Sequence, residues 1–241
     1  MTSRLVFGRS AHDGSLWDSH VVEEGTRTSG AGVSRWKHGP KPVIGLIGSI
    51  GAGKSCAARC FEHRGGKVID ADAIGHSALG QPEIIARIVD KWGGRVKKTD
   101  GSLDRKVIGG IVFANPADRN ALEEMVFPYI KRTCRAKILA AQNDPEVRFV
   151  VLDAAIMLEA GWNEHTDRIV YLDAPWEARL ERVASRSGWS KSDLEAREAA
   201  QWPADVKKAR ADEILMNDAS FDELQLQVDR LLTKWNLLSE E

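Results

Sequence analysis

The chain has 241 residues, of which 43% are hydrophobic and 29% charged, with a formal net charge of -1. A balance of this kind belongs to a globular protein with room for a sizeable core, and it provides no global attraction to nucleic acid or to an anionic membrane. No apolar stretch approaches the roughly 18 residues of a membrane span, and the N-terminus lacks the basic-then-apolar pattern of a secretory signal, so a cytoplasmic protein is expected. Three cysteines, Cys56, Cys60 and Cys134, are too few and too irregularly spaced for a disulfide framework or a zinc site. The i, i+4 spacing of Cys56 and Cys60 suits thiols that pack along a helix.

Residues 1–41 are rich in Ser, Gly and His with only short apolar bursts, and read as a disordered extension. The segment ends at Gly39-Pro40-Lys41-Pro42, which favours an extended entry into the first strand. From there to residue 236 the pattern alternates strand and helix. Val43 to Ile47 is a short apolar run, succeeded by a Gly-rich turn and a helix from Lys54 to about His63. Lys67-Val68-Ile69 reads as a second strand. Residues 82 to 142 read as mainly helical, broken at Gly93-Gly94 and Asp100-Gly101. Arg148 to Leu152 and Arg168 to Leu172 are nearly continuous apolar strands, the pattern of parallel strands covered on both faces. Helices are expected from Trp176 to Ser187 and from Lys191 to Lys208, then a strand at Glu213 to Met216 and a helix from Phe221 to Trp235. Together these predict an α/β fold, a doubly wound parallel sheet of P-loop kinase type with two helical insertions. The insertions are an acceptor-binding region over about 76–142 and a lid over about 176–208.

The segment Gly48-Ser49-Ile50-Gly51-Ala52-Gly53-Lys54-Ser55 fits G-x-x-x-x-G-K-[ST] without a mismatch. Its glycines let backbone N–H groups converge on phosphate oxygens, and the helix after it adds the positive end of its dipole. Lys54 is placed to reach the β- and γ-phosphates of ATP, and the Ser55 hydroxyl to ligate Mg²⁺. The motif lies between an apolar strand and a helix, as the mechanism requires. By itself it does not separate a kinase from a GTPase or a motor ATPase.

Asp70 and Asp72 flank Ala71 at the carboxyl end of the second strand, the edge that borders the ligand crevice in an open α/β sheet. Strand alternation would send both side chains to one face. A carboxylate there can take or orient the proton of an acceptor hydroxyl. Equally, it can cap the next helix, a role that Asp72 suits. Asp153 closes the strand from Arg148 and is either a magnesium-side acid or another helix cap. Arg179, Arg182 and Arg186 share one helical face at i, i+3, i+7 spacing. Such a face is either a solvated basic stripe or a set of charges held over transferring phosphates.

Several of these segments, taken in order, resemble the dephospho-coenzyme A kinase family: Gly45 to Ser55, then Val68-Ile69-Asp70-Ala71-Asp72, then Asp100-Gly101-Ser102-Leu103-Asp104-Arg105. Leu158-Glu159, Arg179 to Arg186, Gln201 and the stretch from Ala211 to Asn217 extend the resemblance over residues 43 to 235. It implies transfer of the ATP γ-phosphoryl group to the ribose 3′-hydroxyl of dephospho-coenzyme A. It also implies Asp72 as the base and Arg105 and Glu159 on the acceptor. Arg182 and Arg186 would meet phosphate, and Cys56 would succeed Ser55 at the nucleotide site. The chain departs from the family pattern at Phe127-Pro128 (usually His-Pro), Ala155 (proline), Arg179 (glutamine) and Cys56 (threonine). A kinase of another small nucleotide-like acceptor and an inactive ATP-binding paralogue are the alternatives, to be separated by acceptor-dependent ADP release.

Overall fold

The computed structural model describes residues 36–238. The reading of residues 1–41 as a disordered extension therefore lies outside the described residues up to residue 35. From residue 36 the chain is already tied to the body. The Lys37 amide donates to Asp167 at 2.7 Å, and the Lys41 amide donates to Gln142 at 2.9 Å. The folded part thus reaches further back than Pro42.

Five parallel strands form one sheet in the order β2-β3-β1-β4-β5. They are β1 (Val43–Gly48), β2 (Gly66–Asp70), β3 (Phe149–Asp153), β4 (Arg168–Asp173) and β5 (Glu213–Met216). All six residues of β1 and all five of β3 are buried, which is why these runs show little polar alternation. Alternate side chains feed two separate cores. Val43, Ile47, Val150, Leu152 and Tyr171 enter one, while Ile44, Leu46, Phe149, Val151 and Leu172 enter the other. The second core is closed by α1 (Lys54–Glu62) and α9 (Phe221–Lys234). There Phe61 meets Phe149 edge-on with ring centroids 6.1 Å apart. Full burial of such a side chain stabilises by about 1.5–3 kcal/mol.

The first core is covered by α2 (Ala71–Ala78), α3 (Pro82–Trp92), α4 (Arg105–Ala114) and the long α5 (Pro116–Asn143). Helix α5 buries Leu122, Val126, Ile130, Cys134 and Ile138, a strict four-residue spacing that keeps one stripe on the sheet. Asn115 caps it by accepting from the Ala117 amide at 2.9 Å, with Pro116 in the first turn. Pro128 lies in its interior, where it removes one helical donor.

Beyond β4 come α6 (Trp176–Ser187), α7 (Lys191–Glu198) and α8 (Ala204–Lys208). The single helix expected over 191–208 is therefore two. The chain stops being helical before Trp202-Pro203, as the residue preceding a proline disfavours the α region. Cys60 packs along α1 as its spacing suggested, and burial pushes its thiol up to about 11. Among the described residues no helix is long and apolar enough to cross a membrane.

Candidate active site

The turn after β1 is held open by its backbone. Gly51 and Gly53 have φ of 79° and 93°, and Gly53 serves as the N-cap of α1 in the left-handed region. A Cβ on Gly53 would stand 2.1 Å from the Asn217 amide nitrogen, so the close approach also demands glycine. That nitrogen donates to the Ala52 carbonyl at 2.7 Å, fastening the loop to the end of β5. Tyr171 on β4 supports the other limb, its hydroxyl 2.6 Å from the Ser49 hydroxyl. Burial raises the Tyr171 pKa, and the Ser49 hydrogen bond opposes that shift. Arg182 adds a third brace, with one guanidinium nitrogen 3.3 Å from the Gly51 and Ala52 carbonyls and the other 2.8 Å from that of Asn217.

Above the loop lies a cavity of about 620 Å³, within the range of small-molecule sites. Ser49, Ile50, Gly51, Gly53, Lys54 and Ser55 form its floor, Asp72 and His76 one side, and Arg182, Arg186 and Trp189 the other. Lys54 Nζ lies 3.9 Å from the Asp153 carboxylate at the end of β3. Arg179, expected on the same helical face, turns instead into an ion pair with Glu198 and donates to the Ile50 carbonyl at 3.3 Å. Its guanidinium also stacks on Trp176, 5.0 Å from the ring centroid.

The two acids after β2 separate clearly. Strand alternation does not relate them, because β2 ends at Asp70 and α2 begins at Ala71. Asp70, not Asp72, is the helix cap, accepting from the Ala73 amide at 2.8 Å. Asp72 sits in the first turn of α2, lines the cavity, and makes no hydrogen bond or ion pair with any described residue. One acid is committed to the fold and the other faces the ligand space.

Three residues expected at the site are not among those that line the cavity. Arg105 opens α4 and donates to the His76 carbonyl at 3.1 Å, bracing a residue that lines the cavity. Cys56 packs against the second core from α1. Glu159 is buried and pairs with Lys207 at 2.8 Å, while accepting from the Trp202 amide at 2.9 Å. The apolar end of the cavity is made by Ile130, Ile156 and Trp162. Phe127 packs edge-on against Trp162 with centroids 5.2 Å apart, and so supports that wall from behind the lining residues.

Known proteins share this outline. The family model for dephospho-CoA kinase matches residues 42–223. The chain belongs to the dephospho-CoA kinase family. The Symbiobacterium thermophilum dephospho-CoA kinase is 40% identical over 190 residues, covering 78% of each chain. That of Anaeromyxobacter dehalogenans is 38% identical over 194 residues, covering 79% of this chain and 90% of its own. A solved Thermus thermophilus protein superposes with a TM-score of 0.69 at 31% identity, covering 80% of this chain and 97% of its own. The Campylobacter jejuni dephospho-CoA kinase structure shares the fold, with a TM-score of 0.53 at 23% identity, 80% of this chain and 97% of its own.

The roles of Asn217, Tyr171 and Lys207 were missed by reasoning from sequence. Asn217 was visible there only as part of a matching segment, and Tyr171 only as one residue of a buried strand. Their partners are 165 and 122 residues away, a relation that no local pattern contains.

Proposed function

We propose that this chain is a dephospho-CoA kinase, passing the γ-phosphoryl group of ATP to the ribose 3′-hydroxyl of dephospho-CoA. The observation that carries the reading is Asp72, an acid without a protein partner among the described residues, facing the Lys54 and Ser55 end of the phosphate loop across one cavity. The loop amides and Lys54 hold the β- and γ-phosphates. Arg186, with Arg182 beneath it, supplies positive charge from the lid side where charge accumulates on the transferring group. Asp72 accepts the 3′-hydroxyl proton as the new O–P bond forms and the bond to the ADP leaving oxygen breaks.

The residues present suit Mg²⁺. Ser55 lines the cavity and the Asp153 carboxylate lies beside Lys54, hard oxygen donors of the kind this ion takes together with phosphate oxygens. Ser55 and Asp153 would hold the ion, which would supply neutralisation of phosphate charge. Ordering the two substrates is most of the catalytic task, since phosphoryl transfer requires little covalent work from the protein. A cytoplasmic location accords with this reading.

The test is ADP release with ATP, Mg²⁺ and dephospho-CoA, run beside Asp72→Asn. Coenzyme A as product, with kcat lowered by roughly 10²–10⁴ in the variant, is the expected result for loss of a general base. Absence of acceptor-dependent ADP release from folded protein would overturn the assignment, and a panel of other nucleoside acceptors would then be tried.

A further inference from the structure

Lys207 is 2% exposed, and its ammonium spends its three protons on three acceptors. They are the Ala155 carbonyl at 2.9 Å, the Gln201 side-chain oxygen at 2.9 Å and the Glu159 carboxylate at 2.8 Å. Glu159 balances the charge, which a buried ammonium requires. Two of the three partners, Ala155 and Gln201, line the substrate cavity. The network therefore joins the loop after β3 to the end of the lid through groups that face the ligand.

Gln201 is 6% exposed. Its amide oxygen is held by Lys207, and an ammonium offers only donors, so the amide cannot turn over without setting N–H against N–H. The NH₂ end consequently points away from Lys207. It has no acceptor among the described residues, yet it is not among the polar atoms sealed from solvent. A buried amide with its oxygen locked and its nitrogen unspent is a donor prepared for a ligand.

We propose that Gln201 is a substrate-contacting residue that donates from Nε2 to a neutral oxygen or ring nitrogen of the phosphoryl acceptor, and that Lys207 is the positioning residue that fixes this orientation. Through Lys207, Gln201 is tied to Ala155, which with Ile156 and Trp162 lines the cavity. A neutral amide also suits a hydroxyl or a base better than a phosphate, for which Lys54 and the arginines are at hand. The inference rests on the kinase reading of the same cavity.

The experiment is steady-state kinetics of the full chain, with ATP and dephospho-CoA varied in turn and thermal melting measured in parallel. Gln201→Met is expected to raise the acceptor KM about 3- to 10-fold, the size of one lost hydrogen bond, with the ATP KM unchanged. Lys207→Met leaves Glu159 buried without its cation, so it is also made together with Glu159→Gln to keep a folded protein. Either form should reproduce the rise in acceptor KM, because the amide is then free to turn. Adding Gln201→Met to it should produce no further rise. A merely structural Lys207 would lower the melting temperature without moving the acceptor KM, and that result would overturn the positioning role. An unchanged acceptor KM in Gln201→Met, or a rise confined to ATP, would overturn the contact. Failure of the unmodified protein to turn over dephospho-CoA is a separate result, and it removes the functional reading itself.

Discussion

The phosphate loop and the lid face the same cavity but are held by different forces. The loop grows from β1, in which all six residues are buried, and is fastened by Asn217, Tyr171 and Arg182. Of the first two helices after β4, α6 buries Val183 alone and α7 buries Leu194 alone. What positions them is polar and aromatic. Arg179 pairs with Glu198, and the Arg197 guanidinium stacks 4.0 Å from the Trp189 centroid and 5.4 Å from that of Phe113 on α4. Burial of apolar area makes a rigid cradle that is ready before phosphate arrives. The helices after β4 are held to the rest by polar and stacking contacts of this kind, each worth less than the burial of a large apolar side chain.

Breaking the cradle should therefore cost more than loosening the lid. The largest effect is expected from Gly53→Ala, which places a Cβ 2.1 Å from the Asn217 amide at a φ of 93°. Overpacking together with left-handed strain should destabilise the protein by about 2–5 kcal/mol, and ATP affinity should fall by more than tenfold. Thermal unfolding and nucleotide titration measure both, and an unchanged affinity would show that the loop tolerates displacement of Asn217.

On the lid, Arg197→Met should leave the melting temperature nearly unchanged, since it removes an interaction worth about 0.5–1 kcal/mol. The acceptor KM should rise roughly two- to fivefold, because Arg197 connects Trp189 of the cavity wall to α4. A large loss of stability with normal kinetics would reverse the contrast and make the lid part of the rigid body.

The smallest effect concerns the back of the cradle, where Arg64 on the α1–β2 turn pairs with Asp229 on α9 at 2.7 Å. Hydrogen bonding from Arg64 holds the Asp229 carboxyl below its ordinary range. The unfolded chain thus binds more protons there than the folded one. The pair's contribution is present above about pH 4 and is lost as pH falls through the lowered value. Asp229→Asn should cost about 0.2–1 kcal/mol at neutral pH and should flatten the acid limb of the stability profile. An identical acid limb in the two proteins would show that the pair is screened out by solvent.

What could be read in the sequence was whatever is encoded locally. The buried strands were legible as apolar runs, β5 (Glu213–Met216) and α6 (Trp176–Ser187) within their observed limits, and the phosphate loop as glycine spacing between a strand and a helix. A glycine pattern can be read because it reports a backbone conformation, which is a property of neighbouring residues. The break between α7 and α8 was also local, at Trp202-Pro203, yet the charged run on either side obscured it. Only the tertiary structure decided which of two acids is free, since the capping of α2 by Asp70 depends on where the strand ends and the helix begins. It also gave Glu159 a buried partner in Lys207, because the worth of a carboxylate is set by its partner, and here the partner lies 48 residues along the chain, brought near only by folding.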